Sequence, residues 1–392
     1  MWNLGYNDAL HAALPTGVIP ICYADDTVLI AGGRDWTRTI RLRLEVGIAA
    51  LGKKIANLGL EMAAQKTEAI WFHNLPRNKR PPPSWIAVGG DRITVGRSLK
   101  YLGLILDERL NFENHFKQIA PKIEKAALGL GRIMPNIGGP KARVRRLYTA
   151  VVQSMALYGA PIWANGNALT RKSVDTLRSV QRRMAIRLCR AYRTTPGNIA
   201  IAMAGMIPFD HQAGAYSEIY WTERDSDGRV QEAARSHEEV RTRATRRALH
   251  KWKSELQSNR AANKETVRAI LANWEAWMEM SPPRLTYRIS QALIEHGCIG
   301  EYLKRIGAEA TAVCHQCGAS HDTVQHTIEV CEAFAEYRNA LKRAIGPDVS
   351  IMAIIKALVS NEEKSGAVAT YYEEVFTVKE ADERDREAKS RP

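Results

Sequence analysis

Residues 18–30 read Val-Ile-Pro-Ile-Cys-Tyr-Ala-Asp-Asp-Thr-Val-Leu-Ile. Two apolar runs, 18–22 and 27–30, flank the polar stretch Tyr23-Ala24-Asp25-Asp26, which is the pattern of a β-hairpin with its turn at the acids. Two carboxylates side by side at the tip carry an electrostatic cost, because like charges ~4 Å apart repel by roughly 4 kcal/mol at an effective dielectric near 20. A divalent cation removes that repulsion. Mg²⁺ takes one or two carboxylates plus waters and phosphates, and two such ions clamp the attacking and leaving oxygens of a phosphoryl transfer. A bare Asp-Asp pair is more often a solvated turn, so the flanking sequence has to decide.

Downstream, Ile40, Leu44, Ile48, Leu51, Ile55 and Leu58 recur at helical spacing and Gly59 suits the C′ position, predicting an amphipathic helix. A strand is expected over 69–72, then a Pro-rich basic linker over 77–84, a hairpin turning at Gly89-Gly90 and a strand over 99–106. From Phe112 the patterns become long and helical, with starts at Pro140-Lys141 and Thr170-Arg171 and a break at Thr195-Pro196-Gly197. Residues 225–260 are charge-dense with sparse apolar positions and read as a solvated helix or a linker. Helices are expected over 333–345 and 351–359, and the mixed-charge tail 378–392 is expected to be disordered. The fold class predicted is α+β, with the strands confined to the first third.

The 392 residues and 45% hydrophobic content suit two or three globular domains. Against 42 Asp and Glu stand 56 Lys and Arg, a formal charge of +14, which points to a polyanionic partner, nucleic acid first. Arg143, Arg145 and Arg146 open one predicted helix, and Arg178, Arg182, Arg183, Arg187 and Arg190 recur along the next at spacings of one, three and four. Residues so spaced share a helix side while Leu177, Met184 and Leu188 face a core, and such a side can track phosphates without reading sequence. A solvated Arg-rich face is the plainer reading.

Six cysteines in so long a chain do not make a disulfide scaffold, and Cys314, Cys317 and Cys331 cluster while Cys22, Cys189 and Cys298 are scattered. Cys314-x2-Cys317-x8-His326-x4-Cys331 offers four ligands suited to tetrahedral Zn²⁺, with His315 and His321 competing for the histidine place. A closed, structural Zn²⁺ is expected. The N-terminal stretch has no signal-peptide pattern and no apolar run reaches membrane-spanning length, so an intracellular protein, cytoplasmic and nuclear, with no membrane partner is expected.

Tyr-Ala-Asp-Asp in this setting resembles the palm motif of reverse transcriptases. Leu58-Gly59-Leu60 with Gln65-Lys66-Thr67-Glu68 resembles the next palm motif of non-LTR elements, and Leu99-Lys100-Tyr101-Leu102-Gly103 the primer-grip strand after it. Residues 148–163 resemble the thumb-proximal helix of arthropod Jockey-like and ribosomal-DNA-inserting elements, and the H-x4-C spacing resembles the C-terminal motif of these retroelements, which favours His326. The resemblance is strong over 1–195, moderate over 310–335 and slight over 196–309.

It implies a partial palm at 1–110, a thumb-like helical region at 111–195, a helical connector at 196–309, a zinc module at 310–335 and C-terminal helices with a disordered tail at 336–392. It further implies an RNA-directed DNA polymerase with Asp25 and Asp26 on catalytic Mg²⁺, Tyr23 and Ala24 under the nucleotide or primer terminus, Lys66 near the triphosphate, and Tyr101, Leu102 and Gly103 at the primer end. The partners implied are an RNA template, a DNA primer or target, and dNTP. Family polymerases use a further palm aspartate and a fingers subdomain. The sole acid before Asp25 is Asp8, and Trp2-Asn3-Leu4-Gly5-Tyr6 looks like sequence just after the template-grip motif. The chain is therefore expected to be the C-terminal half of a polymerase, inactive alone and missing its N-terminal half. The alternative expectation is a noncatalytic nucleic-acid-binding zinc protein derived from a retroelement.

Overall fold

The computed structural model describes Asn7 and residues 11–33, 38–76, 78–166, 169–225, 233–280 and 284–390. Asp8, the stretch 2–6 and the last two residues of the predicted tail lie outside the described residues, as do Arg77 of the linker and 226–232 of the charge-dense segment. The chain divides into two compact units, one ending at His115 and one beginning at Phe116.

In the first unit, β1 (Val18–Tyr23) and β2 (Asp26–Ala31) pair antiparallel in the register Val18↔Ala31 through Tyr23↔Asp26, leaving Ala24 and Asp25 as the turn. Ala24 carries φ 54. Period-two alternation sends Val18, Cys22 and Leu29 onto α1 (Thr39–Asn57), where they meet Ile40, Leu44, Leu51 and Ile55. Gly47 of α1 makes this approach possible, since a Cβ there would come within 3.3 Å of Val18. Leu58 closes the helix and Gly59 follows at φ 73, in keeping with a helix stopping at a left-handed glycine.

A three-stranded sheet follows in the order β3 (Ala69–Ile70), β5 (Asp91–Gly96), β4 (Trp85–Val88). The strand expected over 69–72 is thus only two residues long, and β3 runs parallel to β5. Trp85 packs against the guanidinium groups of both Arg41, at 4.5 Å, and Arg92, at 4.4 Å. The single strand expected over 99–106 is instead a hairpin of β6 (Ser98–Tyr101) and β7 (Leu104–Asp107). Leu102 and Gly103 form its turn at φ 45 and 82, so a largely apolar run concealed a reversal.

The long helix α2 (Glu113–Arg132) starts just after Asp107, whose carboxylate accepts from the backbone N–H groups of Asn111 and Phe112. The second unit continues through α3 (Ala142–Ala156), α4 (Ala160–Trp163), α5 (Arg171–Cys189), α6 (Gly197–Met203), α7 (Phe209–Asp225) and α8 (Ala233–Ser258). Thr170 caps α5 by accepting from Ser173 N. The charge-dense segment is packed rather than solvated all round, for Val240, Ala244, Ala248, Trp252 and Leu256 form a buried stripe at every fourth residue of α8. Short helices α9 (Glu265–Ala272), α10 (Trp274–Glu279), α11 (Tyr287–Leu293) and α12 (Gly300–Arg305) lead to α13 (Ala335–Ile345), α14 (Ile351–Ser360) and α15 (Glu362–Ser390).

One buried cluster runs from Ala185 on α5 to Phe376 on α15 and includes Trp252, Trp277, Ile355 and Tyr372. The tail expected to be disordered belongs to α15, which is helical to Ser390. Its charged end is held by Lys379 on Asp322, Glu380 on Arg288 and Arg386 on Glu309. The described residues are mostly helical with small sheets, an α+β chain, and among them no helix is long and apolar enough to cross a membrane.

Candidate functional site

The Cys/His segment is built from a tight turn and an unusual helical one. Cys314 N donates to Ala319 O at 2.8 Å and Gly318 N to Cys314 O at 2.7 Å, folding the C-x2-C loop back on itself. Gly318 sits at φ 81, a conformation that strains any residue with a Cβ. Thr323 Oγ1 accepts from His326 N at 2.8 Å. From there a single π-helical turn, His326–Val330, delivers Cys331, whose N–H reaches back to His326 O at 2.8 Å; such turns often occur at functional sites.

The ligand atoms of Cys314, Cys317, His326 and Cys331 lie within 4.8 Å of one another. Cys314 Sγ is 3.9 Å from Cys331 Sγ and Cys317 Sγ is 3.3 Å from His326 Nε2. Tetrahedral zinc with Zn–S near 2.3 Å requires ligand separations of ~3.8 Å, so three thiols and one imidazole fit a closed Zn²⁺ site. His315 and His321 stand outside the group, His315 on Glu309 at 3.0 Å and His321 near Glu301 at 3.7 Å.

Burial raises the Cys314 thiol and pushes Cys331 up to about 12, which favours the protonated form until a cation arrives. Cys317 is lowered. Its slight burial works against this and is outweighed by the Ala319 backbone and the neighbouring thiols.

The groups bracing this segment were not legible in the ligand spacing. Asp322 accepts from Gly300 N at 2.8 Å, Thr327 Oγ1 at 3.0 Å and Lys379 Nζ at 2.9 and 2.8 Å. Lys379 is 2% exposed and also donates to Gln316 Oε1 within the C-x2-C loop. Arg338 donates to the carbonyls of Ile328 and Cys331, and Tyr371 Oη to those of Thr327 and Ile328. Asp322 and Glu329 both lie between Cys317 and Cys331, and nothing in the sequence singles out Asp322 as the brace. Its cationic partner lay in a stretch read as disordered.

At the other candidate site Asp25 and Asp26 are exposed on the β1–β2 turn with Tyr23 and Ala24. Tyr101 is near enough for its hydroxyl pKa to be raised, first by burial and then by the charge of Asp26 and by Cys22. The β6–β7 turn carries Leu102 and Gly103, while Lys66 lies exposed in the turn Ala64–Lys66. Among the described residues, Asp25 and Asp26 join no third His, Cys, Asp or Glu in a group able to hold a metal.

The predicted arginine face is divided. Arg145, fully buried, donates to Met134, Pro135, Pro140 and Arg187 carbonyls, and burial beside Arg190 and Arg187 lowers its pKa to about 10. Arg178 pairs with Asp210 and Glu255, Arg182 donates to Thr195 O and Arg193 O, and Arg190 donates to Asn136 O and Pro140 O. Arg183 lies 3.3 Å from Glu124. Arg143, Arg146, Arg183 and Arg187 are exposed.

Similarity to known proteins gives these parts a context. The chain is 25% identical over 359 residues to the Retrovirus-related Pol polyprotein from type-1 retrotransposable element R1 of Bradysia coprophila, covering 86% of this chain and 34% of that one. It is 23% identical over 307 residues to a Pol polyprotein of element R1 4 from Nasonia vitripennis, covering 75% of each. Its homologues are R1 Pol polyproteins, from a family of non-LTR retrotransposons. A putative 115 kDa protein in element R1DM of Drosophila melanogaster is 24% identical over 388 residues, 94% of this chain and 36% of that one. The chain thus spans about a third of the Bradysia and Drosophila R1 relatives and three quarters of the Nasonia one. No family model and no solved structure matches it.

Proposed function

We propose that this chain is the part of an R1-type RNA-directed DNA polymerase that carries the catalytic carboxylate turn, the thumb-like helices and a structural zinc site. The observation that carries the reading is the Asp25-Asp26 pair at the tip of a two-stranded hairpin, in a chain whose homologues are R1 Pol polyproteins. In this reading β1, β2 and α1 form part of a palm. Asp25 and Asp26 supply ligands to Mg²⁺, and the β6–β7 turn with Tyr101, Leu102 and Gly103 supports the primer end. Mg²⁺ would neutralise charge developing on the transferred phosphate and lower the barrier to attack by a primer hydroxyl. RNA template, DNA primer or target and dNTP are the partners, with phosphates tracked by the exposed arginines Arg143, Arg146, Arg183 and Arg187.

Two carboxylates do not fix two metal ions, so the 392-residue chain alone is inactive in this reading. Primer extension on RNA with Mg²⁺ and dNTPs should give no templated product, whereas supplying the remainder of the Bradysia R1 polyprotein, fused or in trans, should restore extension. Activity that persists in Asp25→Asn would remove the catalytic assignment.

A second reading, a noncatalytic nucleic-acid-binding zinc protein, is favoured by the contrast between a complete Cys₃His set and an acidic pair without a third partner among the described residues. Failure of every complemented form to polymerise, with nucleic-acid binding retained, would select it.

A further inference from the structure

Between Val240 and Ser254, α8 carries Arg241, Arg243, Arg246, Arg247, His250, Lys251 and Lys253 and no acid. Its buried stripe of Val240, Ala244, Ala248, Trp252 and Leu256 leaves Arg241, Arg243, Arg246, Arg247, His250 and Lys251 exposed, whereas Lys253 is half-buried and pairs with Glu275 at 3.2 Å. Arg241, Arg246, His250 and Lys251 are exposed and have no side-chain partner among the described residues. Arg243 and Arg247 share one acid, Glu218 of α7, at 3.8 and 3.1 Å. A basic helix face by itself is usually a solvated one.

What distinguishes this face is the cleft beside it. A cavity of about 380 Å³ opens between the end of α4, α7 and α8, lined by Asn165, Gly214, Trp221, Thr222, Arg247 and Lys251 among others, a size within the range of small-ligand sites. Trp221 is 37% exposed, and its Nε1 donates to Pro161 O at 2.9 Å, which fixes the indole at the cleft wall. Gly214 leaves that wall open, since a Cβ there would meet nothing within 4 Å.

We infer that this cleft and the basic face of α8 bind single-stranded nucleic acid, with phosphates on Arg246, Arg247 and Lys251 and an unpaired base against Trp221. The inference rests on the nucleic-acid reading above and assigns it a surface distinct from the arginines of α3 and α5. Arginine and lysine alone would serve duplex equally well. The anchored aromatic selects single strands, because only an unpaired base offers its face for stacking.

The test is binding of labelled oligo(dT) to the full zinc-loaded chain, read by anisotropy over a salt series. The triple variant Arg246→Gln, Arg247→Gln, Lys251→Gln should reduce the log–log salt slope by ~2, at roughly 0.7 per single-strand phosphate contact. Trp221→Ala should weaken binding by roughly 5- to 150-fold, and Trp221→Phe should retain most of it. An unchanged slope in the triple variant, with wild-type binding intact, overturns this inference and leaves the nucleic-acid reading standing. Tighter binding of duplex than of oligo(dT), insensitive to Trp221→Ala, overturns it equally. Absence of wild-type binding to any nucleic acid removes the broader reading and this surface with it.

Discussion

Arg145 and Arg178 lie in the stretch whose spacing suggested a phosphate-binding face, yet Arg145 caps four backbone carbonyls and Arg178 bridges Asp210 and Glu255. Helical spacing shows which residues share a side and says nothing of acids and carbonyls brought there by distant segments. Glu255 is 77 residues away from Arg178. The functional consequence is testable. Arg178→Gln should destabilise the second unit by ~2 kcal/mol, less than the ~3–5 kcal/mol of a fully buried pair because Arg178 keeps some exposure, while leaving the salt dependence of nucleic-acid binding unchanged; urea unfolding and anisotropy read the two effects.

The same network sets a pH window. Burial opposes ionisation of Glu255, but His211 and Arg178 outweigh it and hold its pKa down to about 2 from 4.5. A depressed carboxylate contributes stability that is complete above 4.5 and is lost as pH falls through the folded value. The unfolding midpoints of wild type and Glu255→Gln should therefore converge as pH approaches about 2. A gap that stays constant across that range would place the stabilisation elsewhere. At the candidate metal site, His326→Ala should abolish tight zinc binding while His315→Ala and His321→Ala leave it nearly intact, as metal analysis after dialysis would report.

Among the elements, α15 departs furthest from its sequence reading. Val368, Tyr371, Tyr372, Val375 and Phe376 form a buried stripe at helical spacing, and of the charges beyond them that suggested disorder, Lys379, Glu380, Arg384 and Arg386 are partnered. Composition alone cannot separate a solvated charge run from one whose counter-charges lie elsewhere in the chain. The hairpins at 18–31 and 85–96 were legible because turn residues interrupt apolar alternation, whereas Leu102 gave no such sign before Gly103. Lys379→Met should cost roughly 3–5 kcal/mol, since it strands the buried Asp322 carboxylate. The double variant Lys379→Met, Asp322→Asn should recover much of that loss, as neutral partners need no counter-charge. Equal and additive losses in denaturant melts would show that the two charges do not act as a pair.

For the molecule as a whole, the spacing of Cys314, Cys317, His326 and Cys331 was legible because metal ligands are local in sequence, while the core around them was not. Cys314, Val324, Ile328 and Cys331 belong to the same buried cluster as Trp252 and Phe376, so the segment 310–335 is joined to helices made long before and after it. Chelation should raise amide hydrogen exchange in α13 and α15 as well as in 310–335, through Arg338, Tyr371 and Lys379, while the first unit keeps its protection. Exchange confined to 310–335 would show that the segment opens independently. The Asp322–Lys379 bridge also imposes an order in time. The ribosome makes the two residues 57 positions apart, a delay of roughly 3 to 11 s at ordinary elongation rates. All four ligands exist before Lys379 does, so the nascent chain presents a complete set of thiols and imidazole while its brace is still untranslated. From the moment Cys331 is made until Lys379 follows, metal capture competes with thiol oxidation, and starvation for zinc would act on the protein as it is born rather than after it has folded.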